Sequence, residues 1–382
     1  MSLAAPPSPV DEHPPLQVRR RYVRGRHPKL TAVVAAVVGA LSTAVGAGIG
    51  VRHLTKTGLT GRSALGMALL LLGLVLLAHA IAVFWRTARR WQRLWLVPFT
   101  VVALLGMIPV AVGTMLGYAP RTALGSVTPA SRGLIYQDVT FRTGDGVRLA
   151  GWYVPSTSSA AIVVAPGAGS TRTATLGQAD VLVRHGYAVL LVDPRGQGRS
   201  GGRAMDAGWY GDRDLTAAVT FLQRQPGIDP SRIGVLGLSM GGEEAIGAAR
   251  ADPAIRVVVA EGATHRTAAD KAGWLPGGVN GGLQRAMDRI TYGVAALASS
   301  APEPRTLHAA ISGSRPTPFM LIAAGEGVDE PEAAAYLRSA APDRVQVWTV
   351  PGASHTHGLT RSPAEWTARV TSFLDRTLGG SR

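Results

Sequence analysis

The chain has 382 residues, enough for one large domain with an appendage or for two domains. Its apolar content of 46% and its mean hydropathy of +0.16 are high for a purely soluble protein, so membrane segments are expected. The net charge of +15 does not indicate nucleic-acid binding, because residues 1–117 alone carry +11 of it. The absence of cysteine removes disulfides and argues against a structural zinc site.

Three long uncharged apolar runs lie near the N-terminus, at 30–51, 64–85 and 94–120. Each is long enough for a helix to cross a hydrocarbon core of roughly 30 Å. We therefore predict a three-span transmembrane region over residues 30–120, in contact with membrane lipids. A disordered, basic cytoplasmic tail is predicted over residues 1–29. The first run is rich in Ala and Gly, so whether it spans the membrane stays open.

The Lys and Arg residues around these runs predict an orientation. If all three runs span the membrane, ten of these residues lie on the same side as the N-terminus and five lie on the opposite side. Positively charged loops stay in the cytoplasm. The sequence therefore predicts a multi-pass membrane protein whose residues 135–382 lie on the extracytoplasmic face.

Beyond residue 134 the sequence pattern changes to short runs rich in β-branched residues, which alternate with helical patterns. Such alternation predicts an α/β fold with a mostly parallel sheet flanked by helices over residues 134–382. Residues 264–316 lack this alternation, and we predict that they form a cap or lid inserted in the fold. The predicted strands follow an antiparallel hairpin at 134–155 and lie at 160–166, 187–193, 232–237, 255–262, 317–325 and 345–350.

The pattern G-x-S-x-G occurs twice, as "GLSMG" around Ser239 and as "GRSGG" around Ser200. The pattern alone is weak evidence. Only Ser239 directly follows a predicted strand and directly precedes a helix, where a sharp turn holds the serine in a strained conformation. Side chains at 237 and 241 would collide in such a turn, which explains Gly237 and Gly241. Ser239 is therefore predicted as a nucleophile and Ser200 as a loop serine.

A nucleophilic serine needs a base. His355 lies in "VPGASHTHGL", after the last predicted strand, and is the predicted base. His357 is the close competitor, for which a structural or lid-contact role is expected. Two backbone N–H groups, those of Met240 and Ala168, are predicted to form the oxyanion hole, and Gly167 is the next candidate for the second donor.

The acid of the triad is expected in "AAGEGVDE", after the preceding strand. This segment offers Glu326, Asp329 and Glu330, of which Asp329 is the predicted triad member. Glu261, at the end of the strand before, is a further candidate. The order serine, acid, histidine along the chain is the one that a nucleophile-elbow hydrolase requires.

The segment "GQGRSG" at 196–201 matches a dinucleotide fingerprint, but Asp-Pro-Arg separates it from the strand and no helix follows. We therefore predict neither a nucleotide cofactor nor any other, and no residues have the spacing of metal ligands. Asp193 and Arg195 are instead expected to form a structural ion pair.

Residues 134–380 resemble the α/β-hydrolase superfamily, especially serine hydrolases related to dienelactone hydrolases and prolyl-oligopeptidase-like peptidases. The resemblance is carried, in order, by "APGAG", "VDPRGQGRSGG", "GLSMGG", "AAGEGVDE" and "VPGASHTHGL". It implies a serine hydrolase that works through an acyl-enzyme. One departure concerns the acid, which in such proteins usually follows the strand-ending glycine by three residues. Asp329 follows Gly325 by four.

The predicted function is a membrane-anchored serine hydrolase that cleaves ester, thioester or amide bonds. An acyltransferase with the same triad and a non-catalytic, membrane-anchored binding module are the alternatives. The partner is a small-molecule or lipid-like substrate and not nucleic acid. Trp274 and Leu275 in the lid favour an apolar acyl group. The substrate and the oligomeric state are not fixed by these patterns.

Overall fold

A computed structural model describes residues 28–379 of the chain, so most of the predicted N-terminal tail lies outside the described residues. Eight strands and thirteen α-helices are described. The strands are β1 (Gln137–Arg142), β2 (Arg148–Val154), β3 (Ala161–Ala165), β4 (Ala188–Val192), β5 (Ile233–Leu238), β6 (Ile255–Glu261), β7 (Phe319–Ala324) and β8 (Val345–Val350). The helices are α1 (Pro28–Gly46), α2 (Arg52–Thr57), α3 (Gly61–Thr87), α4 (Leu96–Gly117), α5 (Leu176–Arg184), α6 (Gly211–Gln223), α7 (Met240–Ala251), α8 (Ala268–Ala272), α9 (Gly278–Ala298), α10 (Leu307–Gly313), α11 (Glu330–Ser339), α12 (Gly358–Arg361) and α13 (Pro363–Leu378).

Three N-terminal helical segments are long and apolar enough to cross a membrane. The first apolar helix is α1 continued through a π-helical turn into α2, the second is α3, and the third is α4 with a preceding 3₁₀ turn. The first two pack with their backbones close together. A Cβ on Gly50 would lie 2.6 Å from the Gly66 carbonyl carbon, so only small residues permit this approach.

The eight strands form one sheet with the order β1-β2-β4-β3-β5-β6-β7-β8. Strands β3 to β8 are parallel, whereas β1 and β2 form the predicted antiparallel hairpin at one edge. The central strands are fully buried, because helices cover both faces of the sheet. The predicted fold class is confirmed. The carboxyl ends of the parallel strands meet at one edge, where the candidate site lies.

The segment between β6 and β7, predicted as a cap without regular rhythm, contains the helices α8, α9 and α10. The longest, α9, packs against the third apolar helix. A Cβ on Gly117 would lie 2.6 Å from the Ala295 carbonyl oxygen, and one on Gly113 would overlap the Thr291 carbonyl. The segment is therefore held between the sheet domain and the third apolar helix.

The ion pair predicted between Asp193 and Arg195 is wrong. Arg195 instead binds Asp145 of the β1–β2 turn and Asp214 of α6, each at 2.6 Å. The Asp193 carboxylate accepts the Arg172 backbone N–H at 3.0 Å and so braces a different loop. The two side chains thus serve different neighbours although they are two residues apart.

Candidate active site

Ser239 lies in the sharp turn between β5 and α7, and its backbone is strained at φ 52° and ψ −122°. A Cβ on Gly241 would lie 2.6 Å from the carbonyl oxygens of Ala165 and Pro166, and one on Gly237 would overlap the Gly241 carbonyl. Glycine is therefore required at both places, as the pattern predicted. The start of α7 directs its unpaired N–H groups and positive dipole end toward the serine.

His355 follows β8 and brings its imidazole to the serine. Its Nε2 lies 2.9 Å from Ser239 Oγ, within hydrogen-bond distance. His357 has a different neighbour, since its Nδ1 donates to the carbonyl of His355 at 2.7 Å. Of the two histidines, the structure thus brings only His355 to the nucleophile.

The acid next to His355 is Glu330 and not Asp329. Glu330 Oε1 lies 2.7 Å from His355 Nδ1, and its Oε2 accepts the Ala324 backbone N–H at 2.8 Å. Asp329 adopts a left-handed conformation, φ 68°, and its side chain is exposed. The structure therefore brings Glu330, and not the predicted Asp329, to His355, because the left-handed turn at 329 leaves the Asp329 side chain exposed and turns the next carboxylate inward.

The other two acidic candidates do not reach His355. Glu326 is exposed on the same loop. Glu261 is buried, and its carboxylate accepts the Gly358 backbone N–H at 2.8 Å and the Trp366 indole N–H at 2.9 Å. Glu261 therefore fastens α12 and α13, which follow the histidine loop, to the end of β6.

Of the predicted oxyanion donors, Met240 directly follows Ser239 in the chain, and Ala168 directly follows Gly167. Among the described residues, neither the Met240 nor the Ala168 N–H donates to a turn, loop or cap hydrogen bond. The backbone of Gly167 lies against the serine, since a Cβ there would be 3.2 Å from Ser239 Cβ. Two unpaired N–H groups near a nucleophile are what a developing oxyanion requires.

The electrostatics of the site favour a protonatable base. The Glu330 carboxylate that binds His355 raises the pKa of the imidazole above its usual value, although burial opposes the shift. One turn into α7, burial raises the pKa of Glu243 to about 7. Glu243 Oε1 accepts the backbone N–H groups of Thr264 and His265, each at 3.1 Å, and so anchors the start of the inserted segment. No motif in the sequence signals this contact.

A cavity of about 220 Å³ lies between the third apolar helix and the inserted segment. Its apolar wall comes from α4, including Val112 and Leu116, and its polar wall includes His265 and Asp288. Asp288 is buried, and its Oδ2 has no hydrogen-bond partner among the described residues. The cavity therefore has an apolar side and a polar side, and its lining does not include Ser239, His355 or Glu330.

The fold is that of the α/β-hydrolases, with a mostly parallel sheet flanked by helices. Residues 156–314 match the family model described as serine aminopeptidase, S33. A solved structure, the esterase Pf2001 of Pyrococcus furiosus, is 28% identical, covers 69% of this chain and 98% of its own, and superposes with a TM-score of 0.55.

Two curated relatives match a shorter segment. The thiohydrolase aneE of Aspergillus aculeatus is 39% identical over 129 residues, which are 32% of this chain and 40% of the relative. The polyketide transferase grgF of Penicillium sp is 34% identical over 128 residues, 32% of this chain and 43% of the relative. The matches thus span less than half of either relative.

Proposed function

We propose that the protein is a membrane-anchored serine hydrolase that cleaves ester or thioester bonds through an acyl-enzyme. The observation that carries the proposal is the continuous chain of hydrogen-bonding groups from Ser239 through His355 to the buried Glu330. The esterase and thiohydrolase similarities support the bond type. Because the matching family model is described as a serine aminopeptidase, amide substrates are also included in the assay.

The chemistry follows from the atoms in place. His355 Nε2 takes the proton of Ser239 Oγ as that oxygen attacks the carbonyl carbon. The carbonyl oxygen becomes an oxyanion that accepts hydrogen bonds from the Met240 and Ala168 N–H groups. His355 then returns the proton to the leaving alcohol or thiol, and water attacks the acyl-enzyme by the same route. Glu330 holds the imidazole in the required tautomer and stabilises its cation.

We further propose that the substrate is amphipathic and lipid-like. The cavity beside α4 supports this, because its apolar wall belongs to a helix that can lie in a bilayer, while its polar wall carries the buried pair of Lys271 and Asp288. An acyl chain against α4 with a polar group toward the opposite wall matches both walls. The substrate class is tested with p-nitrophenyl esters of graded chain length, acyl thioesters and aminoacyl arylamides.

The proposed topology has residues 135–382 on the extracytoplasmic face. Arg52 at the end of the first apolar helix pairs with Asp206 of the sheet domain, so that domain lies at the end opposite α1's beginning, and the charge asymmetry of the flanking residues then supports the extracytoplasmic face. A C-terminal alkaline-phosphatase fusion should be active in cells. An inactive fusion together with an active cytoplasmic reporter at the same position would reverse the topology.

The decisive experiment is labelling of the purified full chain with a fluorophosphonate probe. The wild type should be labelled and should hydrolyse esters, whereas Ser239→Ala should do neither. Ser200→Ala is the matched control, because Ser200 lies in the second G-x-S-x-G pattern but its hydroxyl donates to the Asp193 carbonyl. No labelling of folded wild type would favour a binding module.

Acyl transfer is the second candidate, favoured by the similarity to a polyketide transferase. It uses the same triad but passes the acyl group to an alcohol. Product analysis in the presence of alcohol acceptors separates the two, since a transferase forms a new ester at acceptor concentrations where a hydrolase releases the acid.

A further inference from the structure

The end of the first apolar helix touches the turn that carries one proposed oxyanion donor, Ala168. We call residues 166–170 the oxyanion turn. Lys56 Nζ donates to the Gly169 carbonyl at 3.2 Å and to Thr122 Oγ1 at 3.0 Å. The Thr122 hydroxyl itself donates to the same carbonyl at 2.7 Å. Two donors from outside the sheet domain's core therefore converge on a carbonyl one residue from Ala168.

Charged groups surround Gly169 closely. Its backbone is left-handed, φ 63°, and a Cβ there would lie 3.1 Å from Lys56 Nζ and 3.2 Å from Arg52 Nη2. The buried Asp206 carboxylate lies on the same side, 3.6 Å from that position, and pairs with Arg52. The left-handed backbone favours glycine at this position, and these short distances put the helix end and the turn in direct contact.

The oxyanion turn has little internal support. Among its described residues, the one turn hydrogen bond runs from the Ser170 N–H to the Gly167 carbonyl at 3.2 Å. An oxyanion donor acts only when its N–H points at the place where the charge develops. A displacement of about 1 Å can reduce the rate about 100-fold. The contacts from Lys56 and Thr122 therefore bear on catalysis.

We propose that Lys56, assisted by Thr122 and the Arg52–Asp206 pair, is a positioning residue that holds the Ala168 N–H in place. The first apolar helix is then part of the catalytic apparatus as well as an anchor. The inference rests on the proposed function, because it concerns the rate of the same reaction. It adds that the sheet domain reaches full activity only with this helix docked.

The test uses the full chain in detergent and an ester substrate. Lys56→Met keeps the length and removes the donor, so kcat should fall about 10- to 100-fold with KM unchanged. Lys56→Arg, which restores a donor, should recover most of the rate. Arg62→Met is the matched control. Arg62 is a cation at the start of α3 that stacks on the Tyr118 ring, 5.2 Å from its centroid, and its loss should leave kcat unchanged.

A transition-state readout separates positioning from folding. An arylboronic acid forms a tetrahedral adduct with the serine, and one of its oxygens occupies the oxyanion hole. Its inhibition constant should rise in Lys56→Met by the same factor as kcat/KM falls. Thr122→Val removes only the hydroxyl contact and should show a smaller change of the same kind. This variant replaces Lys56→Met in the test if Lys56→Met does not fold.

Two results would overturn the inference. The first is a Lys56→Met variant with the kcat and the boronate affinity of the wild type. The second is a variant whose KM rises and whose melting temperature falls while its boronate affinity stays unchanged. A wild type without esterase activity and without fluorophosphonate labelling would instead overturn the proposed function. The two failures are therefore distinguishable.

Discussion

Two turns at the candidate site look alike and work differently. Each follows a buried parallel strand, each opens a helix, and each contains a non-glycine residue with positive φ, Ser239 at 52° and Asp329 at 68°. In the first turn the strained residue itself carries the proposed nucleophilic oxygen. In the second it serves as a spacer, and the following residue, Glu330, turns inward and is 3% exposed.

The difference lies in what surrounds each turn. The turn at Ser239 is enclosed by backbone, and the residues two positions before and after the serine, Gly237 and Gly241, must be glycine. Glu330 is held by its own carboxylate, which binds the Ala324 N–H and His355. Gly327 makes room for that carboxylate, since a Cβ there would lie 2.5 Å from Glu330 Oε1. A non-glycine residue with positive φ therefore indicates a turn at the candidate site, but it does not tell whether that residue or the next one carries the side chain that acts.

The largest effect is expected at the histidine that joins the two turns. His355→Ala should lower kcat by about five to six orders of magnitude while KM and folding stay nearly unchanged, because it removes the base from the chemical step. His357→Ala should cost far less, through positioning of the loop. Steady-state ester hydrolysis measures both variants. An active His355→Ala beside an inactive His357→Ala would contradict the assignment.

The next effect tests which residue of the second turn acts. Glu330→Gln should lower kcat by about 10²- to 10⁴-fold, because a neutral amide supports neither the required tautomer nor the imidazolium. Asp329→Asn is the matched control and should be nearly wild type, since the exposed side chain tolerates the change and Asn accepts a left-handed backbone. The reverse ranking would restore Asp329 as the acid.

A smaller effect appears in the pH profile. His355 must be neutral to act as a base, and Glu330 raises its pKa above 6.5. The kcat/KM of the wild type should therefore fall as the pH drops, and at pH 6.5 it should be less than half of its maximum. In Glu330→Gln the residual activity should decline at lower pH than in the wild type. An acid limb that stays in place after this substitution would argue that another group sets it.

The smallest effect concerns the spacer residue. Asp329→Gly should leave the free energy of unfolding nearly unchanged, because glycine adopts positive φ freely. Asp329→Val should lower it by about 1–2 kcal/mol, since a β-branched residue resists this conformation. Denaturant unfolding in detergent compares the two. Equal stabilities would show that the turn relaxes.

The sequence predicted the features that depend on local sterics or on strand ends. The alternation of patterns gave the sheet, the glycines flanking Ser239 identified the nucleophile turn, and the loop after β8 identified His355. These inferences need only neighbours along the chain. The fold class is confirmed, whereas the catalytic roles remain predictions.

The acid could not be predicted in the same way. Three carboxylates lie within five residues of one loop, and only the left-handed backbone at Asp329 decides which one points inward. The prediction of the Arg195 ion pair was wrong for a related reason, because its actual partners, Asp145 and Asp214, are distant in the sequence. The contact of Lys56 with Gly169 joins two segments that share no motif, so nothing in the sequence indicated it.

The packing of α9 on α4 has a consequence for biosynthesis. The chain is made from its N-terminus, so α4 is complete long before residue 278 exists. At about 5–20 residues per second, the intervening stretch takes roughly 8–30 seconds to make. For that interval Gly113 and Gly117 lack the helix that later covers them. A nascent chain that stalls before 278 would therefore expose this glycine face to lipid or to another helix.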